Sequence, residues 1–489
     1  MRTAPRIVII GAGPTGIGAA WRLQELGHAD WLLLEGAPHA GGLASSAVDS
    51  RGFTWDHGGH VLFSHYRYFD ALMVAALGAD WLEHEREAWV WMRDRWIPYP
   101  FQNNIWCLPE ADLIPCIDGL LEVFRHSANG GQASRPATFA DWLLNAFGPG
   151  LCDVFMFPYN RKVWGYEPAS LDVGWMGERV ATVDVRRIVR NIVQRRNDVG
   201  WGPNATFRYP LRGGTGAIWR SLFAQLDAQR CRLGCRVAGI DPGRRTLRLA
   251  DGAEVEYDFL ISTQPLDRLL DMVVDREDLR ALRHEFVHGS SHIVGVGLDG
   301  QPPAGLQTKC WLYFPEPETP FYRVTVFSNY SPHNVSRPGE QWSLMCEVTE
   351  TPAKPVDHER IVDQVIDGLK HARMIDGDAR IASTWQTRLE YGYPTPWLGR
   401  DAVLEPIQSE LAACGVLSRG RFGAWKYEVS NQDHSVMQGV EAVDHILLGV
   451  AETTVRGIMG TEPPDAAEAS GSLNRAFARS AQPGRGTGP

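Results

Sequence analysis

Three glycines stand at fixed spacing near the start of the chain, in the string Gly11-Ala-Gly13-Pro-Thr-Gly16. The apolar run Arg6-Ile-Val-Ile-Ile10 directly precedes them and reads as a short buried strand. A helical pattern through Ile17, Ala20, Leu23 and Leu26 comes next and stops at Gly27. Glycines in this position allow a tight turn and close backbone approach to a pyrophosphate, and the helix N-terminus faces its charge. A second apolar strand, Trp31 to Leu34, ends at Glu35. That acid has the spacing of one that accepts from ribose hydroxyls.

Five further features could carry chemistry. Gly41-Gly42-Leu43-Ala44-Ser45 is a second glycine turn, and it favours FAD over NAD as the dinucleotide. Asp56-His57-Gly58-Gly59-His60, continuing to His65, lets backbone approach a flat ligand; it also reads as a glycine turn with satisfied histidines. Its histidine spacing fits no zinc pattern, so no metal is expected. Trp96-Ile-Pro-Tyr99-Pro-Phe101-Gln102-Asn103-Asn104 displays aromatics and amides suited to a nucleobase, or simply packs on the core. Arg179 and Arg323 are forks that suit phosphates, although each could equally be a surface residue or a glutamate partner. A loop from Arg419 through Arg421 leads to Asn431 and Asp433, where the last strong helix begins. Its positive end could face a reduced flavin, or Asn431 or Asp433 could be a plain cap.

These groups need a frame. The opening strand–turn–helix unit implies a doubly wound sheet that later segments must complete. Helical spacing dominates 106–200, with Leu113, Ile117, Leu120, Leu121 and Phe124 in one helix and Ile188, Ile192 and Val193 in another. Thr138 is the expected N-cap of a helix over Phe139–Phe147. Aromatic-rich strands fill 286–384. The expected fold is α/β: an FAD-binding Rossmann-type parallel sheet domain with an inserted helical domain and an antiparallel β-sheet domain. The expected bounds are 1–105, 201–285 and 385–460 for the first, 106–200 for the helical insert and 286–384 for the antiparallel unit. A tail of 461–489 remains. Gly295-Val-Gly297-Leu-Asp-Gly300 also matches the dinucleotide pattern, but Pro302-Pro303 forbids a helix start there.

Composition excludes several classes. The 489 residues are 44% hydrophobic and 22% charged, ordinary for a globular protein. A net charge of −10 argues against nucleic acid and anionic membrane as partners. The eight cysteines form no Cys-x-x-Cys pair, so reduced thiols and a cytoplasmic location are expected.

Taken in order, the strings GAGPTG, GGLAS, GGHVLFSHYRYFD, PYPFQNN, WGPNATFRYP, CWLYFPE, YGYPTP and NQDHS resemble the UDP-galactopyranose mutases, in particular the branch typical of fungi and other eukaryotes. The resemblance runs over nearly all of 6–458. It implies an isomerase that interconverts UDP-galactopyranose and UDP-galactofuranose through an adduct between the N5 atom of reduced FAD and the sugar, then an iminium, with no net redox change. It further implies NAD(P)H as reductant at the flavin face. Arg179 and Arg323 match the residues that hold the diphosphate, with Tyr330, Tyr393 and Tyr427 bonding it. Tyr99, Phe101, Gln102 and Tyr313 match the uridine pocket; Asn160, Trp164 and Asn204 match residues near the sugar. His60 and Gly59 match the turn beside the flavin, and Arg421 an arginine close to its ring. Gly11, Gly13, Gly16, Glu35, Gly42, Leu43, Asn431 and Asp433 complete the FAD contacts. Arg161 departs from the pattern, standing where an apolar residue is expected, and a family insert after NYSPHN is shorter here. The oligomeric arrangement therefore stays open, a homo-oligomer included. So does another nucleotide sugar, such as UDP-arabinopyranose, UDP-N-acetylgalactosamine or dTDP-fucose. An FAD amine oxidase or desaturase is the redox alternative.

Overall fold

The computed structural model describes residues 4–128, 136–176, 184–200 and 205–458, together with Gly460 and Pro463. Its nucleotide-side sheet has five strands in the order Val416–Ser418, Phe259–Ser262, Ile7–Ile10, Trp31–Leu34 and Cys231–Arg232, all parallel. Every residue of Ile7–Ile10 and Trp31–Leu34 is buried, which is why both runs are continuously apolar rather than alternating. The chain leaves this sheet after Trp31–Leu34 and returns to it three times.

Two helices lock the sheet's face. Pro14–Glu25 packs against Gln432–Leu448 at backbone distance. A Cβ on Gly18 would stand 2.7 Å from the Val436 carbonyl, and one on Gly439 would stand 2.0 Å from the Thr15 carbonyl. Beside them Arg22 Nε donates to Asp444 Oδ1 at 2.7 Å, with both side chains only 2% exposed.

The larger sheet has seven strands in the order Ile381–Pro394, His288–Asp299, Gln341–Glu350, Arg323–Val326, Trp311–Tyr313, Ala88–Met92 and Arg95–Pro98. It is mixed rather than wholly antiparallel, because Trp311–Tyr313 and Ala88–Met92 run parallel. The hairpin at 88–98 lies within the segment expected for the nucleotide unit, yet it pairs here. Helix Ile361–His371 covers one face through Ile361, Val365 and Leu369. On the opposite face, Trp55 lies over Gly295 and Phe53 over Gly297. The second dinucleotide-like string is therefore the C-terminal end of the strand His288–Asp299 and the bend after it, and two of its glycines make room for flat rings.

The helical segment comprises Glu110–Ala128, Phe139–Leu151, Phe157–Trp164 and Val185–Gln194. Thr138 caps the second as expected: its hydroxyl accepts from the Asp141 amide, and Asp141 answers the Thr138 amide. A single π turn, Cys152–Met156, joins the second helix to the third. Among the described residues no helix is long and apolar enough to cross a membrane.

The ring–glycine stacking has a measurable cost of disruption. A Cβ on Gly295 would stand 2.6 Å from the Trp55 ring. Gly295→Val is expected to lower the unfolding free energy in urea by about 1–3 kcal/mol. Gly305→Ala, where a Cβ meets open space, is expected to change it by less than about 0.5 kcal/mol.

Candidate functional site

The dinucleotide cradle is built from backbone. Gly11 has φ +100°, and its amide donates to the Leu34 carbonyl at 2.7 Å. A Cβ on Gly16 would stand 1.8 Å from the Gly11 carbonyl oxygen, so only glycine permits this turn. Pro14 begins the helix and Gly13 is its N-cap, with no side chain capping the first-turn amides. The second turn lies against the first. Gly41 donates to the Ala12 carbonyl at 2.8 Å, and a Cβ on Gly42 would stand 3.2 Å from Gly13 Cα. Leu43 packs beside it on the core. Glu35 Oε2 accepts from the Ala12 amide and Oε1 from the Ala37 amide, both at 2.7 Å. Backbone without side chains, a helix start and a carboxylate at the strand end fit a bound dinucleotide.

A polar cleft gathers residues from the larger sheet, from the loops at Gly59–His60 and Arg421, and from the helical segment. Arg323 and Glu347 face each other across adjacent strands. Arg323 Nε donates to Oε1 and Nη2 to Oε2, each at 2.7 Å. Tyr322 donates its hydroxyl to Oε2 at 2.8 Å and lies 3.2 Å from the Tyr393 hydroxyl. Burial alone would raise the Glu347 pKa, but the charge and hydrogen bonds of Arg323 hold it net below the ordinary value. The Gly59 amide donates to Glu347 Oε1 at 3.1 Å, which brings the glycine–histidine turn to this ion pair. Burial pushes the His60 pKa down to about 3; Glu347 opposes this, and Arg421 and Arg323 reinforce it. His60 Nδ1 is buried and makes no hydrogen bond among the described residues.

Aromatic rings wall the rest. The Arg421 guanidinium lies 5.2 Å from the Tyr393 ring and 5.7 Å from the Tyr427 ring, held by the Gly392 carbonyl and the Ser430 hydroxyl. Trp164 contacts Tyr427 at 4.9 Å between centroids and Tyr393 at 5.9 Å. Asn160 lies one turn earlier on the same helix, and its amide is tied to the Met156 carbonyl at 2.8 Å. A second aromatic group adjoins. Tyr99 lies 4.9 Å from Tyr313, Phe101 stacks on Phe155 at 4.2 Å, and Tyr159 bridges Phe155 and Tyr313. Gln102 is buried beside Phe101.

Most of the sites expected from sequence thus converge. Some stand differently. Tyr330 is fully buried against Phe207, Tyr209 and Trp311. The Asp433 carboxylate accepts from the amide and Nδ1 of His65, while Asn431 occupies the N-cap without a side-chain bond. Arg161 pairs with Glu167 on the surface, so the departure from the family pattern leaves the cleft untouched. Arg179 and Asn204 lie outside the described residues. Sequence reasoning missed Glu347, Tyr322, Tyr159 and Phe155. For Glu347 a signal existed: one acid inside the apolar strand Trp-Ser-Leu-Met-Cys-Glu-Val.

The model of the flavin-containing amine oxidoreductase family matches residues 14–409. The crystal structure of reduced UDP-galactopyranose mutase is 47% identical, covers 94% of this chain and 99% of its own, and has a TM-score of 0.90. The chain belongs to the UDP-galactopyranose mutase family. A protein assigned as a protoporphyrinogen oxidase from Exiguobacterium sp. 255-15 shares the fold at TM-score 0.70 and 16% identity, over 92% of this chain and 100% of that one. Polyamine oxidase 1 of Zea mays is 53% identical over 38 residues, only 8% of this chain and 8% of that protein. The mutase family is flavin-dependent, and the two-turn cradle fits FAD.

The geometry sets two expected outcomes. Gly16→Val forces a side chain into the Gly11 carbonyl and is expected to yield purified protein without the visible flavin spectrum. His60 supplies a pH slope. Burial pushes the folded His60 pKa down to about 3 from an ordinary value of 6.5, so the unfolded chain binds the extra proton between those values. Its contribution to stability is fully present above about pH 6.5 and is lost as pH falls. Denaturant titrations of the flavoprotein at several pH values between these limits should show a shallower loss of stability in His60→Asn than in wild type.

Proposed function

We propose that the protein interconverts UDP-galactopyranose and UDP-galactofuranose with reduced FAD and without net redox change. The observation that carries this reading is the convergence of Arg323, Tyr393, Tyr427 and Trp164 beside the His60 turn, in a chain of the mutase family. FAD, when bound and reduced, supplies the nucleophile. The chain's own residues bind, orient and exclude water.

Arg323 offers Nη1, the one guanidinium nitrogen without a hydrogen bond among the described residues, to the diphosphate. Arg179, Tyr393 and Tyr427 share that load, while Tyr330 backs the site from the core. Tyr99 and Tyr313 flank the base, with Phe101 and Gln102 behind them. Asn160, Trp164 and Asn204 line the sugar. His60 stays neutral at working pH, so it orients by hydrogen bonding rather than by charge. Arg421 would supply positive charge to offset the negative charge of a bound reduced flavin. The aromatic wall of Trp164, Tyr393 and Tyr427 keeps water from the sugar. Holding UDP throughout keeps the leaving group in reach, an effect that can contribute about 7–11 kcal/mol. NAD(P)H is the proposed reductant, entering at the flavin face, and the cytoplasm the proposed location.

The test is turnover of UDP-galactofuranose by the reduced enzyme, read by HPLC, beside a panel of other UDP- and dTDP-sugars. Reduced enzyme is expected to convert the galactose pair and oxidised enzyme to be inactive. Conversion by the oxidised form, or none after reduction, sinks the reading. Arg323→Ala is expected to lose about 100-fold or more in kcat/KM while keeping its flavin, since charged hydrogen bonds contribute about 1.5–3 kcal/mol each.

A further inference from the structure

Glu347 is the most heavily engaged acid in the cleft, and its side chain is only 3% exposed. Oε1 accepts from Arg323 Nε and from the Gly59 amide, and Oε2 accepts from Arg323 Nη2 and the Tyr322 hydroxyl. Two donors on each oxygen satisfy the carboxylate. Sheet register sets Arg323 opposite Glu347, so the backbone dictates their pairing. The turn at Gly59 has no such register and meets the pair through one amide. It comes this close because it has no side chain there. A Cβ on Gly59 would stand 3.1 Å from Glu347 Oε1 and 3.3 Å from Arg323 Nη2.

We propose that Glu347 is a positioning residue that couples the Gly58-Gly59-His60 turn to the grip of Arg323 on an anionic leaving group. This rests on the nucleotide-sugar reading above. Glu347 and a diphosphate at Nη1 are both negative, and both draw on one guanidinium. Whatever loosens Glu347 from Arg323 strengthens the hold on the anion. The Gly59 amide and Arg323 Nε share Oε1. Withdrawal of the turn leaves that oxygen to Arg323 alone and tightens the internal pair. Advance of the turn divides the oxygen and frees the arginine for the phosphate. By reciprocity, an anion on Arg323 favours the turn that bonds Glu347. The state of the turn beside the flavin and the hold on the leaving group are therefore one equilibrium. A leaving group that must depart and return requires an intermediate grip, and the carboxylate sets it.

The experiment compares wild-type, Glu347→Gln, Gly59→Ala and the double variant as flavoproteins. UDP affinity is measured by calorimetry and turnover by HPLC. Glu347→Gln is expected to bind UDP about fivefold tighter or more, because a like charge beside the anion is gone. Its kcat is expected to fall by about tenfold or more as the fork loses its orientation. A residue that merely held the fold together would weaken UDP binding and lower flavin content. Gly59→Ala, whose methyl group would stand 3.1 Å from Oε1 and so pushes the turn back from Glu347, should weaken UDP binding about threefold or more, and should change nothing further in the Glu347→Gln background. Unchanged or weaker UDP binding in Glu347→Gln, or additive effects in the double variant, overturns the proposal. If Glu347→Gln loses its flavin, Gly59→Ala decides alone, and an unchanged Kd overturns the proposal. Wild-type protein that binds no UDP sinks the nucleotide-sugar reading and this inference with it. Wild-type binding with unaltered variants sinks the inference alone.

Discussion

The contact on which the rest depends joins the two ends of the described chain. Arg22 and Asp444, 422 residues apart, form a buried pair between the first helix and the last. Such a pair costs desolvation of both ions, and it persists because geometry and neighbours compensate. Glycines at 18 and 439 bring the helix backbones together around it. The middle of Gln432–Leu448 thereby comes to rest on Thr15, within the Gly11–Gly16 turn. The insertions between these helices are long, and this closure fixes where they begin and end.

Two packing principles meet at the cleft. On the nucleotide side, missing side chains let backbone reach backbone. On the sheet side, missing side chains at Gly295 and Gly297 let Trp55 and Phe53 lie flat, and that layer leads directly into the His57–His60 turn. The turn is therefore carried on a stiff aromatic support and ends at a buried ion pair. The cleft's charge is concentrated in Arg323, Glu347 and Arg421, while tyrosines and tryptophans exclude water around them. In such surroundings hydrogen bonds are electrostatically stronger than in water, and unpaired groups are costly.

Legibility tracked covalent distance. The cradle was readable because its parts lie within a few dozen residues and each has a local reason: Gly16 against Gly11, Glu35 at a strand end. The Thr138 cap was readable for the same cause. Glu347 was marked only as an acid inside an apolar strand; its role comes from Arg323 across a sheet register that no local pattern encodes. The strands at 88–98 were hidden likewise, because their partner Trp311–Tyr313 is remote in sequence. The glycines at 295 and 297 imitated a nucleotide turn because both uses demand the same absence of a Cβ, and the prolines after them excluded the helix. Arg161 stood out by type, but its direction toward Glu167 became clear only in three dimensions.

The π turn at Cys152–Met156 sets the phase of the helix after it, Phe157–Trp164. Relative to an α-helix the turn holds one surplus residue, which rotates the next helix by about 100° about its axis. Trp164 meets Tyr393 and Tyr427 because of that count, with Asn160 one turn before it on the same helix. Loss of a single residue from 152–156 would leave every side chain of the helix intact and swing Trp164 away from Tyr393 and Tyr427. Chain length at this turn is thus a determinant of what the cleft accepts, and a deletion can alter it where no substitution would.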